Sequence, residues 1–158
     1  TGSLVSQIKR PNDVLLNVRK VAGILVESVW TGEEVDGLVI GIGMNVLKES
    51  VPSAEFLHFP ATSLEESLGP LVEREPLLHD ILAGLIALRP HLGSDSFIAS
   101  WEKALAFRGE QVQAEQGEGS LVAGKLLGLE SDGSLRLMDE EGKCITVRFG
   151  DVSLRPGK

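Results

Sequence analysis

The sequence predicts an α+β protein, and three observations point to that fold class. Two β-rich runs, residues 20–30 and 35–47, flank the turn-like segment Thr31-Gly32-Glu33-Glu34. Apolar residues recur at helical spacing between residues 75 and 105. Short strand-like runs separated by glycine turns follow from residue 108. We therefore expect a β-hairpin first, helices in the middle and a small all-β region at the end.

The hairpin is the most informative stretch of the chain. If its turn closes symmetrically, the facing pairs are Lys20 with Asn45, Ala22 with Gly43, and Ile24 with Gly41. Because successive side chains of a strand point to opposite sides, the second strand has two unlike faces. One face is an apolar row expected to be core: Leu38, Ile40, Ile42, Met44 and Val46. The other is nearly bare of side chains: Gly37, Val39, Gly41, Gly43 and Asn45.

The bare face admits two interpretations. Glycines inside a strand often mark a place where something approaches the backbone closely, so three on one face indicate a floor for a flat ligand. Lys20 and Asn45 would then offer a cation and an amide at one end of that floor. The alternative is a hairpin loosened by glycines, with a lysine that is only solvated.

Composition limits the classes of partner. The 158 residues include 15 basic and 23 acidic ones, for a net charge of -8 and no basic cluster, which argues against a nucleic-acid partner. Cys144 is the only cysteine, so no internal disulfide forms, in keeping with a reducing cytoplasm. No apolar run approaches membrane-spanning length, and no secretory signal pattern is present. We therefore expect a cytoplasmic protein.

Local signals predict the remaining elements before the C-terminal region. Pro11-Asn12-Asp13 is expected to turn the chain after a short strand, and Thr62 or Ser63 can cap a short helix. A longer helix is expected over residues 75–92, with Pro90 at its end. Its apolar stripe requires a sheet to cover it, and consists of Leu78, Ile81, Leu82, Leu85 and Leu88. The next helix, from Asp95 or Ser96, carries Trp101, which we expect to pack against the neighbouring helix.

The C-terminal region has the pattern of small antiparallel strands joined by tight turns. The predicted strands are Gln111 to Ala114, Ser120 to Leu129, Ser134 to Met138 and Lys143 to Phe149. This pattern favours a compact barrel. We place a domain boundary near Ala106, which divides the chain into residues 1–106 and 107–158.

Three sequence blocks resemble a known family. They are Lys9-Arg10-Pro11-Asn12-Asp13, Arg19 to Glu27 (R-K-V-A-G-I-L-V-E) and Gly41 to Val46 (G-I-G-M-N-V). Together, in this order, they resemble the catalytic domain of biotin protein ligases, whose blocks read roughly K-W-P-N-D, R-K-x-A-G-I-L-x-E and G-I-G-x-N. A weaker likeness continues to Gly150-Asp151-Val152-Ser153-Leu154-Arg155. The resemblance implies part of a class II synthetase-like mixed sheet with helices on one face, followed by a small SH3-like barrel.

The same resemblance implies a reaction. ATP activates biotin to biotinyl-adenylate, and a lysine of a biotin carboxyl carrier protein domain then takes the biotin. Lys20 matches the catalytic lysine, between the biotin carboxylate and the α-phosphate. The nucleotide side would hold Lys9, Asn12, Asp13, Asn45 and Arg155, with Asp13 the candidate for Mg²⁺. The biotin side would hold Lys20, Gly23, Gly41 and Gly43.

Two departures from the family limit these expectations. Arg10 stands where the family usually has tryptophan. The glycine- and arginine-rich loop that closes over biotin and the adenylate has no counterpart in this sequence, and neither does a DNA-binding winged helix. We therefore keep two hypotheses: a ligase that works with a complementing N-terminal half or as a homodimer, and a non-catalytic remnant that binds a ligand or partner or serves as a dimerisation module.

Overall fold

The structure is a computed structural model that describes residues 4–57, 59–70, 72–116, 120–148 and 155–156. Within these ranges the strands are β1 (Ser6–Lys9), β2 (Asp13–Leu16), β3 (Arg19–Thr31), β4 (Glu34–Met44), β5 (Gln111–Gln116), β6 (Ser120–Leu129), β7 (Leu135–Met138), β8 (Cys144–Val147) and β9 (Arg155–Pro156). The α-helices are α1 (Leu64–Leu68), α2 (Arg74–Leu88) and α3 (Asp95–Ala104). Short 3₁₀ turns lie at Lys48–Ser50, Ala54–Phe56 and Arg89–His91. None of the helices in these ranges combines the length and the apolar character that crossing a membrane requires.

The strands form two sheets, which confirms the α+β class. The first has the order β1-β2-β3-β4 and the second the order β8-β7-β6-β5-β9. The expected mixed sheet is not what the described strands form, because the pairs β2–β3 and β3–β4 are antiparallel. Short turns join these strands, and a short turn can connect only antiparallel neighbours. Parallel pairing occurs in isolated bridges, of which one joins Lys20 to Ala61.

The C-terminal strands appear where the glycine turns predicted them. β5, β6, β7 and β8 correspond to the four expected runs, and each pairs with the next in antiparallel fashion. The core of this sheet includes Leu126, Leu135 and Leu137, which are fully buried. Among the described residues the strand order is that of an open sheet, so closure into a barrel stays a prediction.

The chain divides into two compact units. One comprises Thr1–Ser6 with Asn12–Val72, and the other comprises Gln7–Pro11 with Glu73–Lys158. The second unit therefore groups α2 and α3 with the C-terminal strands. One reason is that the Trp101 ring of α3 lies against Gly133, in the turn between β6 and β7. The domain boundary near Ala106 remains a prediction that follows the change from helices to strands.

The turn of the hairpin is as predicted, but the register beyond it is not. Thr31 pairs with Glu34, which leaves Gly32 and Glu33 as a two-residue turn. An irregularity between Val29 and Trp30 then shifts the pairing by one residue. The observed pairs are Ala22 with Met44, Gly23 with Gly43, Ile24 with Ile42 and Leu25 with Gly41. The predicted pairs of Lys20 with Asn45, Ala22 with Gly43 and Ile24 with Gly41 are therefore wrong, because a symmetrical turn does not account for a bulge.

The apolar row of β4 was expected to be core, and that expectation is also wrong for most of its length. Leu38 is 63% exposed, Ile40 49% and Ile42 37%. The apolar stripe of α2 is likewise open, since its four leucines are 39–57% exposed. Alternation identifies which face of a strand is apolar, but the presence of a covering layer depends on other segments.

The helices begin and end close to the predicted points. Ser63 caps α1 by accepting a hydrogen bond from the Glu66 backbone nitrogen at 3.1 Å. α2 begins at Arg74, and Pro90 lies in the 3₁₀ turn that follows its end. Ser94 caps α3 and accepts from the Phe97 nitrogen at 3.2 Å. The caps of α1 and α3 are local signals, which explains why the sequence located the starts of these two helices.

Candidate functional site

The position of Lys20 depends on a bulge in β3. On β2, Asp13 pairs with Gly23, but Leu15 pairs with Lys20, so β3 contains one extra residue between the two pairs. Asp13 and Leu15 share a face of β2, and directly paired residues of neighbouring strands share a face. The bulge therefore turns Lys20 to the same face as Gly23, although a regular strand would put residues three apart on opposite faces.

Lys20 and Asp13 form an ion pair on that face. The Lys20 Nζ lies 2.5 Å from Asp13 Oδ1, with the lysine side chain 40% exposed and the aspartate side chain 10% exposed. Gly23 lies beneath them, because a Cβ built on Gly23 would be 3.4 Å from the Lys20 Nζ. The aspartate is thus a buried anchor, and the ammonium remains accessible to a ligand. Sequence reasoning gave Asp13 a metal and missed this pairing, which the bulge brings about.

The glycines of the two central strands leave open space beside Lys20. Gly23 pairs with Gly43. Gly41 precedes Gly43 by two residues and therefore lies on the same face of β4. A Cβ at Gly41 would meet its nearest atom at 3.8 Å, and one at Gly43 at 4.0 Å. Packing within the described residues therefore does not require glycine at either position. The open space over Gly41 and Gly43 is large enough for a ligand to approach the backbone, as the predicted ligand floor requires.

Two asparagines flank this floor with their backbones tied into the sheet. The Asn12 carbonyl accepts from the Ile24 nitrogen at 2.9 Å, while the Asn12 residue itself is exposed. The Asn45 nitrogen donates to the Val21 carbonyl at 2.8 Å, and the Asn45 Nδ2 donates to the Thr62 carbonyl at 3.1 Å. Asn45 lies two residues after Gly43, which continues the glycine face beyond the end of β4. Both amides therefore have fixed backbones at the margin of the same sheet.

The segment before α1 closes the other side of the site. The Lys20 nitrogen donates to the Pro60 carbonyl at 2.8 Å, and the Lys20 carbonyl accepts from the Thr62 nitrogen at 2.9 Å. Thr62 and Ser63 are fully buried. The backbone of Lys20 is thus held by β2 on one side and by residues 60–62 on the other.

Glu66 of α1 joins the helix to the sheet. Its carboxylate accepts from Arg19 Nη1 at 2.7 Å and from Thr62 Oγ1 at 3.0 Å. The hydrogen bonds from Arg19 and then Thr62 lower the pKa of the Glu66 carboxyl from its ordinary value. The sequence analysis missed this junction, since Arg19 is 47 residues from Glu66 along the chain.

Two predicted site residues belong to the second unit. Lys9 ends β1 and is 7% exposed. Arg155 begins β9, whose backbone pairs with β5, and its side chain lies outside the described residues. The roles predicted for Lys9 and Arg155 therefore stay predictions. Five of the predicted residues, by contrast, share one surface of the first unit: Lys20, Asp13, Gly23, Gly41 and Gly43.

The predicted magnesium site has limited support in the described residues. They contain no group of three or more histidine, cysteine, aspartate or glutamate side chains able to hold a metal. Asp13 supplies one carboxylate, and Lys20 already engages it. A protein-only metal cage does not fit this donor set, although Mg²⁺ on a nucleotide commonly takes one or two carboxylates besides phosphates.

The arrangement is suited to binding a flat molecule with an anionic group. The glycine floor offers open backbone, and Lys20 offers a positive charge at its end. An ammonium on a flexible stem can stabilise negative charge on a carboxylate or a phosphate, and charge-assisted hydrogen bonds are the strong ones. The geometry favours chemistry in which negative charge develops beside Lys20.

Comparisons with known proteins identify similar chains. Residues 2–45 match the biotin/lipoate A/B protein ligase family. The chain is 32% identical over 144 residues to the bifunctional ligase/repressor BirA of Bacillus spizizenii. This match covers 89% of this chain and 44% of that protein. It is 34% identical over 145 residues to the biotin–[acetyl-CoA-carboxylase] ligase of Paracoccus denitrificans, covering 87% of this chain and 59% of that protein.

A solved structure shows the same fold. The biotin protein ligase of Aquifex aeolicus in complex with biotin and ATP superposes with a TM-score of 0.78 at 30% identity, covering 96% of this chain and 62% of that one. The chain spans about half the length of the curated relatives that it matches, and it corresponds to their C-terminal part. The blocks around Lys9, Lys20 and Asn45, the fold and these relatives agree: residues 2–45 match the biotin/lipoate A/B protein ligase family, and the chain is similar to the C-terminal part of biotin protein ligases.

Proposed function

We propose that this chain provides the catalytic surface of a biotin protein ligase that acts in the cytoplasm. The ligase uses ATP to activate biotin as biotinyl-adenylate and transfers the biotin to a lysine of a biotin carboxyl carrier protein domain. The observation that carries the proposal is the accessible ammonium of Lys20, set over Gly23 and anchored by Asp13. The Aquifex aeolicus neighbour, described in complex with biotin and ATP, supports both small-molecule substrates.

Lys20 is the proposed catalytic residue. In the first step the biotin carboxylate attacks the α-phosphate of ATP, and pyrophosphate leaves. Negative charge builds on the phosphate oxygens during this attack, and the Lys20 ammonium stabilises it. The carrier lysine then attacks the acyl carbon of the adenylate, and AMP leaves. The same ammonium stabilises the charge that develops on the acyl and phosphate oxygens.

The other residues hold the substrates. Gly23, Gly41 and Gly43 are proposed to let the ring system of biotin lie against the backbone, with open space over Gly41 and Gly43 and the Lys20 side chain over Gly23. Asn12 and Asn45 are proposed to contact the nucleotide, together with Lys9 and Arg155. Asp13 keeps Lys20 in place, and Mg²⁺ arrives with ATP as part of the substrate. Positioning of this kind supplies much of the rate in reactions that join two bound molecules.

We further propose that activity requires a complementing surface. The β3–β4 hairpin exposes apolar side chains on both faces, among them Leu25 and Val39 on one face and Val26 and Ile40 on the other. Exposed apolar area of this kind marks an interaction site in a soluble protein. The complement is either an N-terminal ligase segment or a second copy of the chain.

We also propose that the final strands form the small SH3-like barrel of the family.

A second candidate function rests on the same exposed hairpin. If the hairpin serves only for association, the chain is a non-catalytic module that binds a ligand, a partner or another copy of itself. This alternative predicts binding without pyrophosphate release, so one assay distinguishes the two functions.

The test is biotin-dependent exchange of labelled pyrophosphate into ATP, measured on the chain together with an N-terminal ligase segment. We expect exchange, and we expect Lys20→Ala to lower its rate by about a hundred- to a thousandfold, since losing one transition-state contact typically costs this much. Arg89→Ala, a change of one positive charge on the 3₁₀ turn after α2, is the control and should leave the rate unchanged. Exchange at the same rate in the Lys20 variant would refute the assigned role.

A further inference from the structure

Arg10 is the residue at which this chain departs from the family pattern, and it has well-defined contacts. Its Nη1 donates to the Gly133 carbonyl at 2.9 Å. Its guanidinium carbon lies 5.6 Å from the centroid of the Trp101 ring. Both partners belong to the same compact unit as Arg10. A guanidinium that donates to a carbonyl and lies over an aromatic face is held in a single position.

The partial burial of Arg10 carries a free-energy cost. Burial lowers the pKa of the Arg10 guanidinium, and Asp132 partly offsets the shift. The Arg10 Nε is buried and has no hydrogen-bond partner among the described residues. A surface arginine would avoid this cost by reaching solvent. The contacts to Gly133 and Trp101 must therefore compensate for the burial.

Gly133 makes the contact possible for two reasons. Its φ of +79° belongs to the left-handed region, which favours glycine. A Cβ at this position would lie 2.7 Å from Cζ3 of Trp101, which is closer than carbon atoms approach. Only glycine lets the Trp101 ring lie this close to the turn while the Gly133 carbonyl accepts from Arg10. The turn between β6 and β7 is thus shaped to receive Arg10.

Arg10 is also next to the candidate site along the chain. Pro11 follows Arg10, and Asn12 and Asp13 come next. The Asn12 carbonyl bonds to Ile24 of β3, and the Asp13 side chain pairs with Lys20. Before Arg10, the Ile8 carbonyl accepts from the Ala106 nitrogen at 2.9 Å, so residues 8–10 are held at two points. After Arg10, the Asn12 carbonyl accepts from the Ile24 nitrogen at 2.9 Å. The two-residue step from Arg10 to Asn12 leaves little freedom for the site loop.

We propose that Arg10 is a positioning residue, which fixes the Asn12-Asp13 turn through its contacts with Gly133 and Trp101. This inference deepens the proposed function, because Asp13 in turn anchors Lys20. A tryptophan at this position could not make the same contacts as Arg10, because an indole has a single hydrogen-bond donor and no positive charge.

The first test does not depend on activity. The exchange rate of the Ile24 amide reports on the position of the Asn12 carbonyl that accepts from it. We expect Arg10→Ala to raise this rate by about tenfold, as loss of a charge-assisted hydrogen bond and a cation–π contact would do. Arg10→Lys should restore part of the protection, since a lysine keeps the charge and one donor.

Two matched controls separate positioning from a general loss of stability. Arg108 lies in the same unit, where its Nε donates to the Leu127 carbonyl and its Nη2 pairs with Glu102 at 3.0 Å. Arg108→Ala should destabilise that unit and leave the Ile24 amide unchanged. Gly133→Ala should raise the Ile24 rate, whereas Gly142→Ala should not, because Gly142 has a φ of +80° but open space around its Cβ.

A second test asks about the reaction. In the complemented enzyme, Arg10→Ala should raise the KM for ATP and lower kcat by about tenfold each, while Arg108→Ala changes neither. An unchanged Ile24 rate in the Arg10 variant, or an equal rise in the Arg108 variant, would overturn the inference. If the complemented protein has no activity at all, the proposed function fails, and the amide rates still decide the role of Arg10.

Discussion

Lys20 is placed by contacts on every side except the one that faces solvent. Its backbone bonds to Pro60 and Thr62, its ammonium pairs with Asp13, and Gly23 leaves room beneath its Nζ. A lysine free in solution would have to lose the freedom of four rotatable bonds when a substrate arrives. Here much of that loss occurs on folding. The residue is therefore prepared for an anion before one binds.

The space above Gly23 gives a prediction about Lys20. In Gly23→Ala the new Cβ would be in van der Waals contact with the Lys20 Nζ, at 3.4 Å, and would limit the positions that the ammonium can take when a substrate arrives. We expect the rate of pyrophosphate exchange in the complemented enzyme to fall on the order of a hundredfold, as small misplacements of catalytic groups do. The free energy of unfolding should change by less than about 1 kcal/mol, because the lysine can shift.

Gly37→Ala is the control for this change. A Cβ at Gly37 would meet no atom within 4 Å, and Gly37 lies near the turn end of β4. We expect it to leave the exchange rate unaltered. Equal effects from the two substitutions would mean that added β propensity, rather than the position of Lys20, governs the rate.

At the level of elements, α1 is tied to the sheet by its first turn. Ser63 caps the helix, and the Glu66 carboxylate forms an ion pair with Arg19 of β3. A helix of five residues would not be stable alone. Its position depends on these bonds and on the burial of Leu64, which is 7% exposed. Because residues 60–62 bond to Lys20, a change in α1 is expected to reach the site.

The lowered pKa of Glu66 gives a pH prediction. A carboxyl whose pKa is lower in the folded state contributes stability above its ordinary pKa of 4.5, and loses that contribution as pH falls through the folded value. We therefore expect Glu66→Gln to lower the free energy of unfolding at pH 7. The difference from the original chain should shrink below about pH 4.

Urea unfolding at a series of pH values measures this difference. Glu49→Gln removes one negative charge from an exposed 3₁₀ turn and serves as the control. A Glu66→Gln effect that persists undiminished in acid would show that the carboxylate charge does not matter, and that Arg19 contributes by packing alone.

On the scale of the whole molecule, the long hairpin differs from the rest of the chain. At the end of the hairpin away from its turn, Val21 and Ala22 are buried, while most large apolar side chains from Leu25 to Ile42 are exposed. A two-stranded ribbon in water is only marginally stable. We infer that the exposed part of the hairpin is an association surface and contributes little to the stability of the single chain.

This inference predicts the effect of polar substitutions. The double substitution Leu38→Thr with Ile40→Thr should change the free energy of unfolding by less than about 1 kcal/mol, since exposed positions contribute little. It should weaken association with a second copy or with the N-terminal segment, measured by sedimentation. Leu137→Thr is the control, because Leu137 is fully buried in the C-terminal sheet and should cost about 2 kcal/mol or more. A comparable loss in the double variant would mean that the hairpin face is core.

The sequence by itself determined the elements whose signals are local. The turn at Gly32-Glu33, the Ser63 cap, the glycine turns of the C-terminal strands and the three family blocks were all legible from residue types at short spacing. Each depends on backbone preferences or on bonds within a few residues, which a single stretch of chain contains.

The tertiary structure decided which face each side chain occupies. Two irregularities in β3 do this: one near Trp30 shifts the register of the hairpin, and one at Val21 returns Lys20 to the glycine face beside Asp13. Lys20 therefore lies on the face of Gly23, although the predicted facing pairs of the hairpin were wrong. Bulges arise where strands from distant parts of the chain must fit together, so no local pattern of residues reveals them.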